Sequence, residues 1–290
     1  MRKFYLPLAI VAILTVGMIA GCGSDNGTNA TEGNGTGSGT MSVLLSDSPF
    51  PFSILASANV KVTKVTGRRE SDSDTSFVTL YDGPDTTINL LDLQNGVTAT
   101  LAETQVPAGS YNQFRFFVDS ASVTLTDGSE YALKVPSGSS SGLKLMVDPA
   151  VVVVEDSTNN PALGGILLID VDVSQSFVLQ GNPETPAGIH GFNFKPVLRG
   201  VNLNSTGSIV GMVSDTGDVA LADAQIWAET DTVVANTSTD ESGAYTLLGL
   251  LPTGYDLYAT KDGYDTSSVA GVQVGTGVET PVNFTLTPLN

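Results

Sequence analysis

The chain has 290 residues, 12 basic against 30 acidic side chains, a formal charge of −18 and a single cysteine. That charge argues against nucleic acid and anionic lipid headgroups as docking surfaces, since both are held through neutralised phosphates. One cysteine excludes a disulfide framework, and abundant Gly, Ser, Thr, Val and Asp with few helix formers predict an all-β chain rich in turns.

At the start, Arg2 and Lys3 precede an almost unbroken apolar run from Leu6 to Ile19, then small residues and a polar, glycine-rich stretch. The pattern predicts a signal peptide over residues 1–21; the apolar run is short of the ~20 residues of a membrane span. Ile19-Ala-Gly-Cys22 resembles the lipobox of bacterial lipoproteins. The resemblance implies acylation of Cys22, which becomes the mature N-terminus, and Gly23 in place of an aspartate implies the outer membrane. Removal of Arg2 and Lys3 leaves 10 basic against 30 acidic side chains. Each buried lipid methylene contributes roughly 0.8 kcal/mol, so two or more chains anchor stably.

Residues 22–40 are mostly Gly, Ser, Asn and Thr with hardly an apolar side chain, a disordered tether with a root-mean-square span of roughly 23 Å. The first domain is read over residues 41–203. Strands are expected from Met41, at Asn59 to Val65, Phe77 to Tyr81, Ile88 to Leu93, Tyr111 to Val118, Tyr131 to Val135, Leu143 to Val147 and Val151 to Glu155. A hairpin centres on Asp127-Gly128. An odd-length loop aligns the apolar faces, pairing Leu125 with Tyr131 and Val123 with Leu133. From Gly165 to Leu179 one long strand is expected, with Leu167, Ile169, Val171, Val173 and Phe177 on its core face. Its other face starts apolar at Ile166 and Leu168 and turns polar at Asp170 and Asp172. The last strand is Phe192 to Leu198. A short link leads to a second domain at residues 207–288, which carries one basic and 11 acidic side chains. Both lobes are acidic, so electrostatics is not expected to draw them together.

The second domain resembles the carboxypeptidase regulatory-like family, a small sandwich of the transthyretin type. The matching residues are Gly207-Ser-Ile-Val-Gly-Met-Val-Ser-Asp215, Leu221-Ala-Asp-Ala-Gln-Ile-Trp227, Thr239-Asp-Glu-Ser-Gly-Ala-Tyr-Thr-Leu247, Leu251-Pro-Thr-Gly-Tyr255 and Lys261-Asp-Gly-Tyr264. Gly243 supplies a turn that a side chain resists, and Tyr245 and Leu247 point inward. Met41-Ser-Val-Leu-Leu-Ser-Asp-Ser-Pro49, Asn89-Leu-Leu-Asp-Leu93, Pro107-Ala-Gly-Ser-Tyr-Asn-Gln-Phe-Arg115, Ile169-Asp-Val-Asp-Val173 and Lys195-Pro-Val-Leu-Arg199 make the first domain similar to a bacterial lipoprotein family known as domain of unknown function 4382. That resemblance implies location and architecture and transfers no chemistry.

Few residues offer chemistry. Gly138-Ser139-Ser140-Ser141-Gly142 matches Gly-x-Ser-x-Gly, but a nucleophile elbow needs a helix after it and a histidine and acid nearby; here strands flank it, and an alternative is an anion-cradling loop beside Lys134 and Lys144. His190, the one histidine, lies in a Pro/Gly-rich approach to a strand, a surface or hinge position. Asp170 and Asp172 share a strand face and are read as rungs of a charge ladder with Arg115, Lys195 and Arg199, with cation binding as the rival. Trp227 alternates with Ala224, Ile226 and Ala228 and is expected to face outward beside Gln225 and Glu229, a candidate glycan contact.

The sequence therefore predicts two consecutive β-sandwiches after a signal peptide and tether. The protein is expected not to be an enzyme, with catalytic, cofactor and metal residues none, and lipidation at Cys22. It would be exported to the cell envelope and held by its N-terminal lipid, as a binding or scaffolding module for a glycan or an envelope protein. Rival readings are a carbohydrate-binding module using Trp227 and a serine hydrolase using Ser139 to Ser141 with His190.

Overall fold

Alternating apolar side chains place one face of most strands inward, and the chain builds two separate cores from them. The computed structural model describes residues 37–48, 54–73, 76–83, 86–135, 140–156, 160, 163–182 and 188–289. Residues 1–21, Cys22, most of the tether, and Gly138 and Ser139 lie outside them.

The first sandwich comprises β1 (Ser38–Ser48), β2 (Leu55–Arg69), β3 (Val78–Tyr81), β4 (Thr86–Asn89), β5 (Ala99–Pro107), β6 (Gly109–Leu125), β7 (Glu130–Leu133), β8 (Leu143–Val153), β9 (Gly165–Asp172), β10 (Phe177–Asn182), β11 (Gly188–Phe194) and β12 (Leu198–Asn202), with a single helical turn, α1 (Val173–Ser176), between β9 and β10. One sheet has the order β12-β9-β1-β5, with β1 parallel to β9. The other is built on the long β2–β6 pair, with β3 and β4 added to β2, and β7 and β8 to β6. β10 and β11 form a separate hairpin. Tyr111, Phe114, Phe116 and Phe177 are almost wholly buried between these layers; large apolar side chains of this kind contribute roughly 1.5–3 kcal/mol each.

The second sandwich contains β13 (Gly207–Asp215), β14 (Gln225–Glu229), β15 (Val233–Ser238), β16 (Ala244–Leu250), β17 (Gly254–Thr260), β18 (Ser267–Gln273), β19 (Glu279–Pro281) and β20 (Phe284–Leu286). One sheet places β13 centrally, with β16 antiparallel on one side and β19 and β20 parallel on the other; the second has the order β15-β14-β17-β18. Ala224, Ile226, Ala228 and Leu257 have no exposure, and Tyr245 and Leu247 point inward as their spacing predicts. Gly243 has φ +78, and an added Cβ would lie 2.6 Å from the Val213 carbonyl oxygen.

Several elements differ from the sequence expectation. β1 begins inside the stretch read as tether, because Ser38 to Thr40 pair with Pro107 to Gln105 and Gln105 Nε2 donates to Thr40 Oγ1 at 2.7 Å. Leu90–Leu93 is a 3-10 turn, not strand: the Asn89 side chain accepts from Leu91 N and ends the extended run. The segment from Gly165 breaks at Asp172, whose carboxylate caps α1 by accepting from Gln175 N at 2.9 Å, so Phe177 belongs to a different sheet. The hairpin loop is odd, Thr126-Asp127-Gly128, but the strand register lies two residues from the expected one: Leu125 N bonds Ser129 O, and Val123 faces Tyr131. Both registers keep the same faces together, which is why alternation cannot separate them. β5 was not foreseen; its apolar positions are diluted by Thr, Glu and Gln.

Candidate functional site

The sheet β12-β9-β1-β5 turns one face into the first core. Its opposite face carries Leu168 and Val201, which are 0% and 7% exposed yet join neither core. They are covered by the second sandwich at Gly249, where a Cβ would stand 3.2 Å from Val201 Cγ1 and 3.5 Å from Leu168 Cδ2. The polar half of the same face continues the contact. Arg199 lies opposite Asp170 in register, and its Nη2 and Nε reach Asp170 Oδ2 at 3.1 and 3.3 Å. The same guanidinium donates across the junction to the carbonyls of Leu248 and Gly249 at 3.3 and 3.2 Å. Ser46 Oγ donates to Asp170 Oδ1 at 3.1 Å. The charged contact between the two acidic lobes is thus a guanidinium whose charge is balanced within its own sandwich. Net charge did not reveal this, because the contact is local and partly apolar.

A second clasp is Asn95. It sits at φ +58 in the turn after the 3-10 segment. Its Nδ2 donates to Ala244 O at 3.2 Å and its Oδ1 accepts from Thr246 N at 2.7 Å. The side-chain amide thus occupies the open edge of β16 as a neighbouring strand would, satisfying one donor and one acceptor there.

Asp47 stands beside this junction at the end of β1. Met41, Val43 and Leu45 point inward, and Asp47 takes the next inward position, 6% exposed. Its Oδ1 accepts from Val173 N at 3.3 Å, and its Oδ2 has no partner. Burial, and then the charges of Asp170 and Asp172, hold this carboxyl well above the usual carboxylate range; Gln94 comes near enough to oppose the shift without bonding Oδ2. A cavity of ≈ 20 Å³ adjoins it, walled by Ser46, Asp170 and Arg199 on one side and by Asn236, Thr237 and Leu248 on the other. A wider groove of ≈ 180 Å³ follows, between Asp172, Gln175 and Leu198 and the open edge of β15 from Val233 to Asn236.

The other residues singled out by sequence are dispersed. Of the expected charge ladder only Arg199 pairs with Asp170. Arg115 instead lies 4.6 Å over the Phe77 ring and donates to Ser141 O, Lys195 is exposed, and Asp172 is a helix cap. Ser140 is exposed in a turn that leads into β8, so no strand-to-helix elbow forms there. His190 is exposed on β11. Trp227 is on the outer face as expected, but it is half-buried: Tyr258, its cross-strand partner, stacks on it at 5.2 Å and 10°. Among the described residues no group of acidic, histidine or cysteine side chains could hold a metal, and no helix is long and apolar enough to cross a membrane. Asp47, Asn95 and Asn236 were missed by sequence reasoning. Only Asp47 carried a signal, an acid on the inward parity of an apolar strand.

Comparisons with known proteins agree with two modules. Residues 208–287 match the model described as Carboxypeptidase regulatory-like domain. No curated protein matches the chain. Solved structures similar to it include the shaft pilin SpaA of Lactobacillus rhamnosus GG (12% identity, covering 87% of this chain and 98% of that one, TM-score 0.25). Others are GBS52, the minor pilin of Streptococcus agalactiae (12%, 86% and 97%, 0.24), and a type II cohesin–X-dockerin complex from Acetivibrio cellulolyticus (15%, 28% and 56%, 0.23). The chain thus spans little more than half of that last one, and TM-scores of this size carry no argument about function. The first sandwich decides the family: residues 38–196, more than half of the chain, match one model, and the protein belongs to the family described as Domain of unknown function (DUF4382).

Proposed function

We propose that the protein is an exported, lipid-anchored component of the cell envelope, most simply the outer membrane, acting as a non-catalytic binding or scaffolding module. The observation that carries this reading is the junction. Arg199 and Asn95 fasten two sandwiches into one body, and a single cysteine in a lipobox-like tetrapeptide precedes that body. Two sandwiches fastened together on an acylated tether suit presentation of a surface better than turnover of a substrate. The acidic surface favours solubility and separation from neighbours. The reading is tested by feeding cells an alkyne-palmitate. Label is expected in the wild-type chain in the membrane fraction and absent from a Cys22→Ala variant; an unlabelled wild-type chain released to the medium overturns the anchor.

A second reading, a glycan contact, has one observation in its favour. Trp227 and Tyr258 form a stacked aromatic pair on the outer face of β14 and β17, with Asn236 in register beside the indole. Because Trp227 is the one tryptophan, its emission reports that place. A shift on adding maltoheptaose, cellohexaose or chitohexaose supports this reading, and no shift across the three removes it.

A further inference from the structure

The first sandwich has two outer faces. The one outside β12-β9-β1-β5 is covered by the second sandwich at Leu168 and Val201. The opposite one, outside β2, β6 and β8, carries bases. Val65, Phe116 and Leu145 point into the core and fix the alternation, which turns Lys64 and Arg68 of β2, Arg115 of β6 and Lys144 of β8 outward. By the same alternation Lys61 of β2 and Lys134, just past β7, face outward. Six of the chain's 12 basic side chains thus share one sheet face. Among the described residues two acids stand between them, each taken by one lysine: Asp119 lies 3.3 Å from Lys61 and Asp82 3.2 Å from Lys64. Glu130 bounds the patch at one end, and Glu70 and Asp148 bound it at the other. Arg115 and Lys144 are directly opposed in register, which costs stability between like charges. Neither has an acidic partner among the described residues: Arg115 meets the Phe77 ring and Ser141 O, and Lys144 is exposed. Met146, in the next row opposite Gln113, is 59% exposed. Net charge conceals this patch. The sheets of a sandwich pack about 10 Å apart, so the acids of the second sandwich lie behind two sheets, beyond the ~10 Å over which 0.1 M salt screens a charge.

We propose that this basic face rests on the phosphate headgroups of the bilayer that holds the Cys22 lipids, and so turns the second sandwich outward. The inference rests on the lipid-anchored reading. The chain enters the fold beside this face: Gly37 O accepts from Ala108 N, next to the start of β6. Arg115 is six residues along that strand from Gly109, about 20 Å. Cys22 precedes Gly37 by 15 positions, no more than about 54 Å of chain, so the anchored patch reaches the surface. Lysine and arginine near anionic headgroups are attracted within a Debye length. A contact too weak to hold a free protein suffices here, because the lipids keep the patch at high effective concentration. Docked in this way, the second sandwich with its Trp227–Tyr258 pair stands on the far side of the first from the lipid.

The test uses the chain from Cys22 onward, coupled through its single thiol to a maleimide lipid in nanodiscs of phosphatidylcholine with one-third phosphatidylglycerol and a gadolinium chelate on a headgroup. The ε-methyl of Met146 reports the basic face, and that of Met212, exposed on β13, reports the second sandwich. The chelate is expected to speed Met146 relaxation roughly fivefold or more while Met212 changes less than twofold. Arg115→Glu with Lys144→Glu should abolish the difference, and so should discs of phosphatidylcholine alone, which need no variant to fold. Equal relaxation of the two methyls overturns the proposal, as does a Met146 effect that neither change removes. A Met146 signal that broadens with protein concentration in the absence of discs also overturns it, since the face would then take a second copy. The chemical coupling keeps the two readings apart: missing palmitate label in cells overturns the anchor, and equal relaxation in the discs overturns the face.

Discussion

Tyr111 has no exposure, and its hydroxyl donates to Pro107 O at 2.8 Å. Burial raises its ionisation to about 12, from 10.0 in the unfolded chain. The unfolded chain loses this proton first, so stability should fall between pH 10 and pH 12. Tyr111→Phe should flatten that alkaline decline in urea titrations and cost about 1 kcal/mol at pH 7 for the lost bond. Arg199 makes a different residue-scale prediction. Its side chain is 32% exposed and that of Asp170 10%, so Arg199→Ala should cost about 2 kcal/mol, less than a fully buried pair, once solvent screening is counted. Arg199→Lys should recover only part, because an ammonium cannot reach the carboxylate and two carbonyls with one planar fork. Equal midpoints for the lysine variant and wild type in chemical denaturation would contradict this.

At the scale of elements, turns are where single residues govern. Gly243 ends the Asp240 turn, where the Asp240 carboxylate accepts from Ser242 N and Ala244 N at 2.8 and 3.0 Å. Gly243→Ala places a Cβ against the Val213 carbonyl at positive φ and should destabilise the second sandwich by about 2 kcal/mol, read from its unfolding midpoint. This turn was legible in the sequence, as were the inward Tyr245 and Leu247, because side-chain alternation and a turn glycine are local facts. The break at Asp172 was not. Alternation continues through Val173 and Phe177, and only the capping bond of Asp172 distinguishes a helical turn from more strand. Trp227 was legible in direction and not in exposure, since the partner that covers it, Tyr258, lies on a strand 31 positions away. Asn95 was illegible for the same reason: its role is set by an edge of β16 that sequence spacing does not place beside it.

At the scale of the molecule, the apolar face of β9 and β12 is completed by the second sandwich. A chain ended after Ser205 should therefore expose Leu168 and Val201 and leave Arg199 without its two carbonyl partners. Such a fragment is expected to bind a hydrophobic dye more strongly than the full chain and to self-associate in light scattering; a monodisperse fragment with unchanged dye binding would show that the cover is dispensable. The unfolding of the full chain should then depart from two independent transitions, because the first sandwich gains stability from its neighbour.

The order of synthesis gives this cover a further meaning. Val201 leaves the ribosome about fifty residues before the backbone of Gly249 that closes over it. At 5–20 residues per second that interval is roughly 2–10 s. For those seconds the early module displays a greasy spot that any passing chaperone can grip, and the late module ends the grip simply by being made.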